Sequence, residues 1–360
     1  MTEELDIREI LKCVRCGTCR SVCPVFRELG WESTSARGRL MVAGHLLDGG
    51  LPDEAALASL RSCTTCAICR EICPAEVDSP RLIEGARREL SSRGLLSEAQ
   101  LKLKTRIQAT GNSLGEARDR LAWMTEKEVP DRAEAVYFAG CLNSYRYPQV
   151  AAKTLSIIKP LGVTVLKNER CCGSPLLRTG IAPDTIDHNL EQIRATGAET
   201  VITGCAGCYT TLKKDYPPEF EVLSLSEFLE EHISDLKLEP LDITVTYHDP
   251  CHMGRHNRIF DPPRRVIEAI CNLEEMKGNR EEARCCGGGG GVRSGYPDLS
   301  LRMARRRLED LPSNVETIVT TCPLCVKNLS DAGGKAIDLI DLVAQALPEH
   351  ARGSGSSPGH

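Results

Sequence analysis

Ten cysteines of this chain obey one spacing rule twice. Between residues 251 and 325, a single Cys251 is followed by the adjacent pair Cys285-Cys286 and then by Cys322-Pro-Leu-Cys325, with gaps of thirty-three and thirty-five residues. Upstream, Cys141 is followed by Cys171-Cys172 and by Cys205-Ala-Gly-Cys208, with gaps of twenty-nine and thirty-two. Each adjacent pair runs into a glycine, Gly173 or Gly287. So many thiols carry an oxidation risk unless something ligates or cross-links them. A disulfide scaffold belongs to small secreted chains. This chain has 360 residues, and its acidic start, Met1-Thr-Glu-Glu-Leu-Asp6, lacks the apolar core of a signal peptide. The metal reading is therefore favoured. Of nineteen cysteines, only Cys271 falls outside the ligand sets. It follows Val266, Ile267 and Ile270 at helical spacing and reads as a small buried hydrophobe.

The remaining eight form two runs near the N-terminus. Cys13, Cys16, Cys19 and Cys23 precede Pro24, and Cys63, Cys66, Cys69 and Cys73 precede Pro74. Each is C-x2-C-x2-C-x3-C-P, the run of bacterial ferredoxins, in which the fourth cysteine ligates the other cluster. The expected sets are Cys13, Cys16, Cys19 with Cys73, and Cys63, Cys66, Cys69 with Cys23. Structural zinc sites seldom need eight thiolates in this crossed pattern. The intervening sequence has helical period at Leu40, Met41, Ala43, Leu46 and Leu47 and again at Leu57 and Leu60. Asp53 is placed to cap the second of these helices, Ser79-Pro80 to open a third and Ser97-Glu98 a fourth. Residues 1–110 are thus expected to form an all-helical two-cluster domain, and 111–133 a linker or short docking helix.

Residues 134–232 alternate strands and helices. Ala135–Gly140 reads as a strand running into Cys141, Val163–Leu166 as a strand before Cys171-Cys172, and Thr200–Thr203 as a strand before Cys205. Phe220–Leu223 is a fourth. Residues 242–347 repeat the plan with a period of 110 residues from Cys141 to Cys251. Alternation of this kind implies parallel sheets, with ligands at the carboxyl ends of strands. The expected class is α+β multidomain: a helical domain, then two Rossmann-like α/β domains related by a pseudo-two-fold, their cysteine sets facing each other. The low-complexity stretch within 348–360 is expected to be disordered.

A net charge of −5 argues against nucleic acid as partner. No run approaches eighteen apolar residues, so no transmembrane helix is expected. The expected location is the cytoplasm, with any contact to the inner face of a membrane made through a partner. No G-x-G-x-x-G follows a strand, so no flavin or nicotinamide site is expected in this chain.

Two ferredoxin runs followed by two such cysteine-rich halves resemble the catalytic iron–sulfur subunit of heterodisulfide reductase, in its fused form that partners a membrane cytochrome b. The resemblance spans roughly residues 10–345. It implies two cubane [4Fe–4S] clusters in the helical domain and two noncubane [4Fe–4S] clusters. Cys141, Cys171, Cys172, Cys205 and Cys208 would hold one noncubane cluster. Cys251, Cys285, Cys286, Cys322 and Cys325 would hold the other. A thiol disulfide such as the coenzyme M–coenzyme B heterodisulfide would lie between them. Gly173 and Gly287 would let backbone approach the clusters, and His252 would be the proton donor. A histidine that only hydrogen-bonds cluster sulfur is the plainer role for His252, and His248 would orient the loop. Arg178, Arg255 and Arg293 would offset cluster charge or pair with an anionic substrate. The electron partner would be the cytochrome b or a flavin-bearing subunit. Relatives of the same build serve hydroxy-acid and glycerol-3-phosphate oxidation, which implies a second class: a non-catalytic electron-transfer subunit of a flavin-dependent dehydrogenase.

The four sets imply about sixteen iron atoms per chain at four per site. Iron analysis after anaerobic reconstitution should return that load, and a plateau near half of it would leave the five-cysteine sets without iron.

Overall fold

The computed structural model describes residues 7–124 and 129–348. Apolar residues at helical spacing in the first hundred residues form helices, with no strand among the described residues there. Ile7–Leu11 leads into the first cysteine loop. Helices Ala36–Leu47, Glu54–Arg61, Ser79–Ser92 and Glu98–Thr110 follow. Asp53 caps its helix by accepting the N–H of Ala56 at 2.8 Å. Ser97 and Gln100 form a reciprocal capping box. The third helix starts where expected, with Asp78 as its cap. Leu40, Leu46, Leu60, Ile83 and Leu90 close the core of this bundle.

Each α/β half is a four-stranded sheet, parallel throughout. The first holds β1 (Ala135–Tyr137), β2 (Val163–Val165), β3 (Thr200–Thr203) and β4 (Glu221–Ser224), in the order β2-β1-β3-β4. The second holds β5 (Thr244–Tyr247), β6 (Asn272–Leu273), β7 (Thr317–Thr320) and β8 (Lys335–Asp338), in the order β6-β5-β7-β8. Strands β6 and β8 carry too few apolar residues to announce themselves. In both sheets the order reverses between the first and third strands, and that crevice is where open sheets place ligands. Cys141 and Cys205 follow β1 and β3, and Cys251 and Cys322 follow β5 and β7.

The two halves pack reciprocally. Helix Pro148–Ile158 of the first packs on Leu339–Ala346 of the second, and Leu225–Glu231 of the first packs on Asp261–Glu268 of the second. Each contact is the other with the halves exchanged, the signature of a two-fold relation. One apolar core runs through both sheets, from Leu155 and Ile158 to Val343 and from Phe228 and Leu229 to Val266 and Ile267.

Two expectations are corrected. The strand read as Ala135–Gly140 stops at Tyr137, and Cys141 lies in the first turn of helix Gly140–Tyr145. The buried Glu169 carboxylate accepts the N–H groups of Ala139 (2.8 Å) and Gly140 (3.0 Å), which turns the chain out of the sheet. A side chain at Gly140, φ 78°, would also meet the Cys208 sulfur at 3.1 Å. Residues 111–124 form turns rather than a docking helix. Asn112 closes one of them through the N–H groups of Leu114 and Glu116, and Trp123 packs edge-on against Tyr137. The expected disordered tail lies outside the described residues from 349 onward.

A cavity of about 130 Å³ lies where the halves meet, lined by Asn143, Tyr147, Pro323, Val326 and Asp338 among others. Asp338 caps the last helix through its Oδ1, which accepts the N–H of Ile340 at 3.1 Å, while its buried Oδ2 has no partner. Burial pushes this carboxyl up to about 8. A raised carboxyl contributes stability at low pH and loses it as pH rises through the folded value. Asp338→Asn keeps the cap acceptor without the titration. Its melting temperature should therefore gain on the parent's as pH goes from about 6 to about 9. A gap that stays constant across that window would contradict the buried-acid assignment.

Candidate metal centre

The cysteines of the α/β halves converge at the carboxyl ends of the strands. Cys205 and Cys322 are the N-caps of helices Ala206–Lys214 and Pro323–Asp331, with Cys208 and Cys325 in the first turns. Helix N-termini favour thiolate over thiol. In the first half neighbouring thiols run Cys141, Cys171, Cys172, Cys208, Cys205. In the second they run Cys251, Cys285, Cys286, Cys325, Cys322, with the Cys286 and Cys325 sulfurs 3.4 Å apart. The order is the same position by position. The last members, Cys205 and Cys322, face each other across the pseudo-two-fold. Cys172 is pushed down to about 6 by Cys171 and Cys208, and Cys286 is lowered by Cys285 and Cys325, whereas Cys171 and Cys205 are raised where their counterparts Cys285 and Cys322 are lowered.

The ferredoxin-type loops also come together. Cys13, Cys16, Cys19, Cys69 and Cys73 line one cavity, and Cys16 is exposed to solvent. Cys23 is buried and lies near Cys63 and Cys66. Cys66 reaches further still and touches Cys285. The glycine run is what admits this approach: a side chain at Gly290, φ 61°, would lie 2.4 Å from the carbonyl oxygen of Cys63. Gly173 and Gly287 have φ of 93° and 86°, and their open sides face Pro183 and the Ser300 carbonyl respectively. Cys271 stands apart from every set, half-buried beside the shared core.

His252 is buried, with Nδ1 3.4 Å from the Cys251 sulfur and Nε2 without a hydrogen-bond partner. Its carbonyl accepts from Thr210 of the other half. Burial, then the charge of Arg178, pushes its imidazole down to about 3. The ring of His256 stacks on it at 4.4 Å and donates from Nε2 to the Thr65 carbonyl of the helical domain. His248 accepts from Arg307 at Nδ1, 3.1 Å, and brings a donor atom within 4.8 Å of the Cys286 and Cys325 sulfurs. Asp249 forms a buried two-pronged ion pair with Arg264 at 2.8 and 3.0 Å, which stiffens the turn before Cys251.

The three arginines singled out by sequence are all engaged by protein. Arg178 pairs with Glu84 and Asp215, Arg293 with Asn328 and Asp331, and Arg255 donates to the carbonyls of Cys66, Glu281 and Ala283. Three residues escaped sequence reasoning. His256 had one signal, its position four residues after His252 on a helical turn. Arg120 and Glu169, which reach Cys141 and its turn, had none, because nothing local marks them.

Comparison with known proteins bears on what such sets hold. The cysteine-rich domain profile matches residues 135–213 and 245–330, and the 4Fe-4S dicluster domain profile matches residues 9–77. The fold and these matches define an iron–sulfur protein built from a dicluster domain and two cysteine-rich domains. The chain is 33% identical to the D subunit of the dihydromethanophenazine:CoB–CoM heterodisulfide reductase of Methanosarcina barkeri, over 95% of both chains. It is 42% identical to the protein of that name from Methanosarcina acetivorans, over 64% of this chain and 63% of that one. The B subunit of the fumarate reductase (CoM/CoB) of Methanothermobacter marburgensis is 35% identical over 91% of this chain and 69% of its own length. The chain belongs to the family of heterodisulfide reductase D subunits.

The expected crossing of the ferredoxin-type loops has a testable consequence. Cys16→Ala and Cys73→Ala should each remove about four iron atoms, and the double variant no more than either, because both empty one site. Cys16→Ala with Cys23→Ala should remove about eight. The reverse result, about eight iron atoms lost with Cys16→Ala/Cys73→Ala and about four with Cys16→Ala/Cys23→Ala, would mean uncrossed loops.

Proposed function

We propose that this chain is the subunit of a heterodisulfide reductase-like enzyme at which a thiol disulfide, such as the coenzyme M–coenzyme B heterodisulfide, is reduced or reversibly formed. The observation that carries this reading is the meeting of two complete five-thiol sets. Cys205 faces Cys322, and the unpartnered Nε2 of His252 lies beside them. The donor chemistry fits iron–sulfur clusters: sulfur only, closely packed, with Cys205, Cys208, Cys322 and Cys325 seated at helix N-termini. When bound, two cubane [4Fe–4S] clusters in the helical domain and two noncubane [4Fe–4S] clusters in the five-thiol sets would supply one-electron transfer.

The chain's own residues supply the rest. Cys66 against Cys285 gives the helical domain direct contact with the second five-thiol set, so electrons from a partner arrive there first. That partner is a membrane cytochrome b or flavin-bearing subunit, and the exposed Cys16 marks the outer end of the route. Reduction of RS–SR′ takes two electrons and two protons and yields RSH and R′SH. Thr210 and Asn257 hold the His252 carbonyl, and the stacked His256 holds its ring, which leaves Nε2 for a substrate sulfur. Burial around these groups excludes water from the exchange. The protein works in the cytoplasm, at the inner face of the membrane where the partner is the cytochrome.

The test is viologen-linked reduction of the mixed disulfide by the reconstituted chain. Turnover is expected, and its absence at full iron load would move the chain to the class of electron-relay subunits of flavin-dependent dehydrogenases. His252→Ala should retain all iron and slow turnover by roughly a hundredfold, the scale of a lost acid–base group. The ring takes up its proton only as negative charge at Cys322 and the substrate sulfur offsets the burial that otherwise keeps it neutral. His248→Ala should cost less turnover. Unchanged turnover in His252→Ala would assign the proton to solvent, and lost iron would assign the residue a structural role.

A further inference from the structure

The two five-thiol sets match in the order of their sulfurs but not in what touches the first sulfur of each. At the second set, Cys251 faces the Nδ1 of His252 at 3.4 Å. At the first, Cys141 receives two donors from one guanidinium: Arg120 Nη1 at 3.8 Å and Nη2 at 3.7 Å. Arg120 comes from the 111–124 segment and is buried. The same Nη2 is also held in an ion pair by the Glu169 carboxylate, which takes the N–H groups of Ala139 and Gly140 as well. The ring of Tyr145 lies 5.7 Å from its carbon, against its face. At the second set the buried Arg255 also lies near Cys251 and Cys285, but it gives its hydrogen bonds to the carbonyls of Cys66, Glu281 and Ala283 rather than to sulfur.

We propose that Arg120 is a positioning residue that makes the two sets electronically unequal, holding the group bound by the first set at a higher reduction potential than it would otherwise have. This rests on the iron–sulfur reading above. Adding one electron to a sulfur-ligated centre adds one negative charge. A fixed positive charge bonded to a ligand sulfur stabilises the reduced form more than the oxidised one. Burial strengthens the effect, because little water screens it. A guanidinium stays protonated throughout the accessible pH range, so no proton accompanies the electron at this position. Glu169 opposes the effect with its own charge, although two backbone N–H groups share that charge. The pair therefore gives opposite signs on neutralisation: removing the cation lowers the potential, and removing the anion raises it.

The experiment is a spectroscopically monitored redox titration of the full chain, reconstituted anaerobically, with iron counted in each sample. Arg120→Gln should keep its iron and move one titrating component to more negative potential, the others staying in place. At a fixed potential the oxidised-to-reduced ratio of that component should rise about tenfold, the scale of one hydrogen bond to a charged group. Arg120→Lys should restore most of the shift, and Glu169→Gln should move the same component the other way. The Arg120→Gln shift should be the same at pH 6.5 and pH 8.5. Full iron with every component unmoved would overturn the proposal, as would equal shifts in the Gln and Lys variants. Iron lost from one site in both Arg120 variants would show a prop for the Cys141 turn and overturn it too. Iron missing from the five-thiol sets in the parent chain would instead sink the cluster reading, and this proposal with it.

Discussion

Thiolates gathered in a protein interior repel one another, and burial removes the water that would screen them. Breaking a buried charge pair costs about 3–5 kcal/mol, whereas an exposed pair contributes about 1 kcal/mol or less. The molecule meets this constraint in part with four buried guanidinium groups set beside cysteines. Arg39 reaches the Cys23 sulfur while holding the Ser59 carbonyl and the Ser62 hydroxyl. Arg87 holds the carbonyls of Leu60, Cys63 and Gly290. Arg120 sits on Cys141, and Arg255 ties Cys66 to the second five-thiol set. Each places positive charge near sulfur and satisfies the carbonyls or carboxylate around it. The loops that carry the thiols are thus fixed by the same groups that make their charge tolerable.

Duplication supplies the geometry. A single sheet with a cysteine set at its switch point would open that set to solvent. Two such sheets related by a pseudo-two-fold cover each other's sets, and the reciprocal helix contacts make the cover apolar. The duplication is also where function departs from symmetry. Position by position the sulfurs agree, yet Leu142 follows Cys141 where His252 follows Cys251. Two matching frames thereby hold two unlike chemical environments a short step apart.

Much of this is legible in the amino-acid sequence. Spacing locates all eighteen clustered cysteines, because ligand loops are local and their periods survive in the chain. The parallel halves are legible because β1, β3, β5 and β7 are short apolar runs next to cysteines. What escapes is non-local or short. Strand β6 has two residues, and β8 reads Lys-Ala-Ile-Asp, so neither carries a hydrophobic pattern. Cys141 falls in a helix rather than a strand because Glu169, twenty-eight residues on, captures the N–H groups ahead of it. Arg120 lies in a stretch that reads as a linker, and a single charge that bonds a distant sulfur leaves no periodic trace. The arginines chosen by proximity in sequence are held by Glu84, Asp215, Asp331 and backbone carbonyls.

The helical domain and the second α/β half are joined by chain and by contact. Cys66 touches Cys285, His256 reaches Thr65, and Arg87 and Arg255 bridge the two with several carbonyl bonds. Because one polypeptide carries both, this junction is an intramolecular event with a high effective concentration. Under the proposed function, donor and acceptor sites would not drift apart on dilution, and transfer between them would be first-order in the chain. Only the step from an outside donor to the exposed Cys16 loop would then depend on a second protein. In a cell where this protein is scarce, its internal electron traffic would run at the same rate as in one where it is abundant.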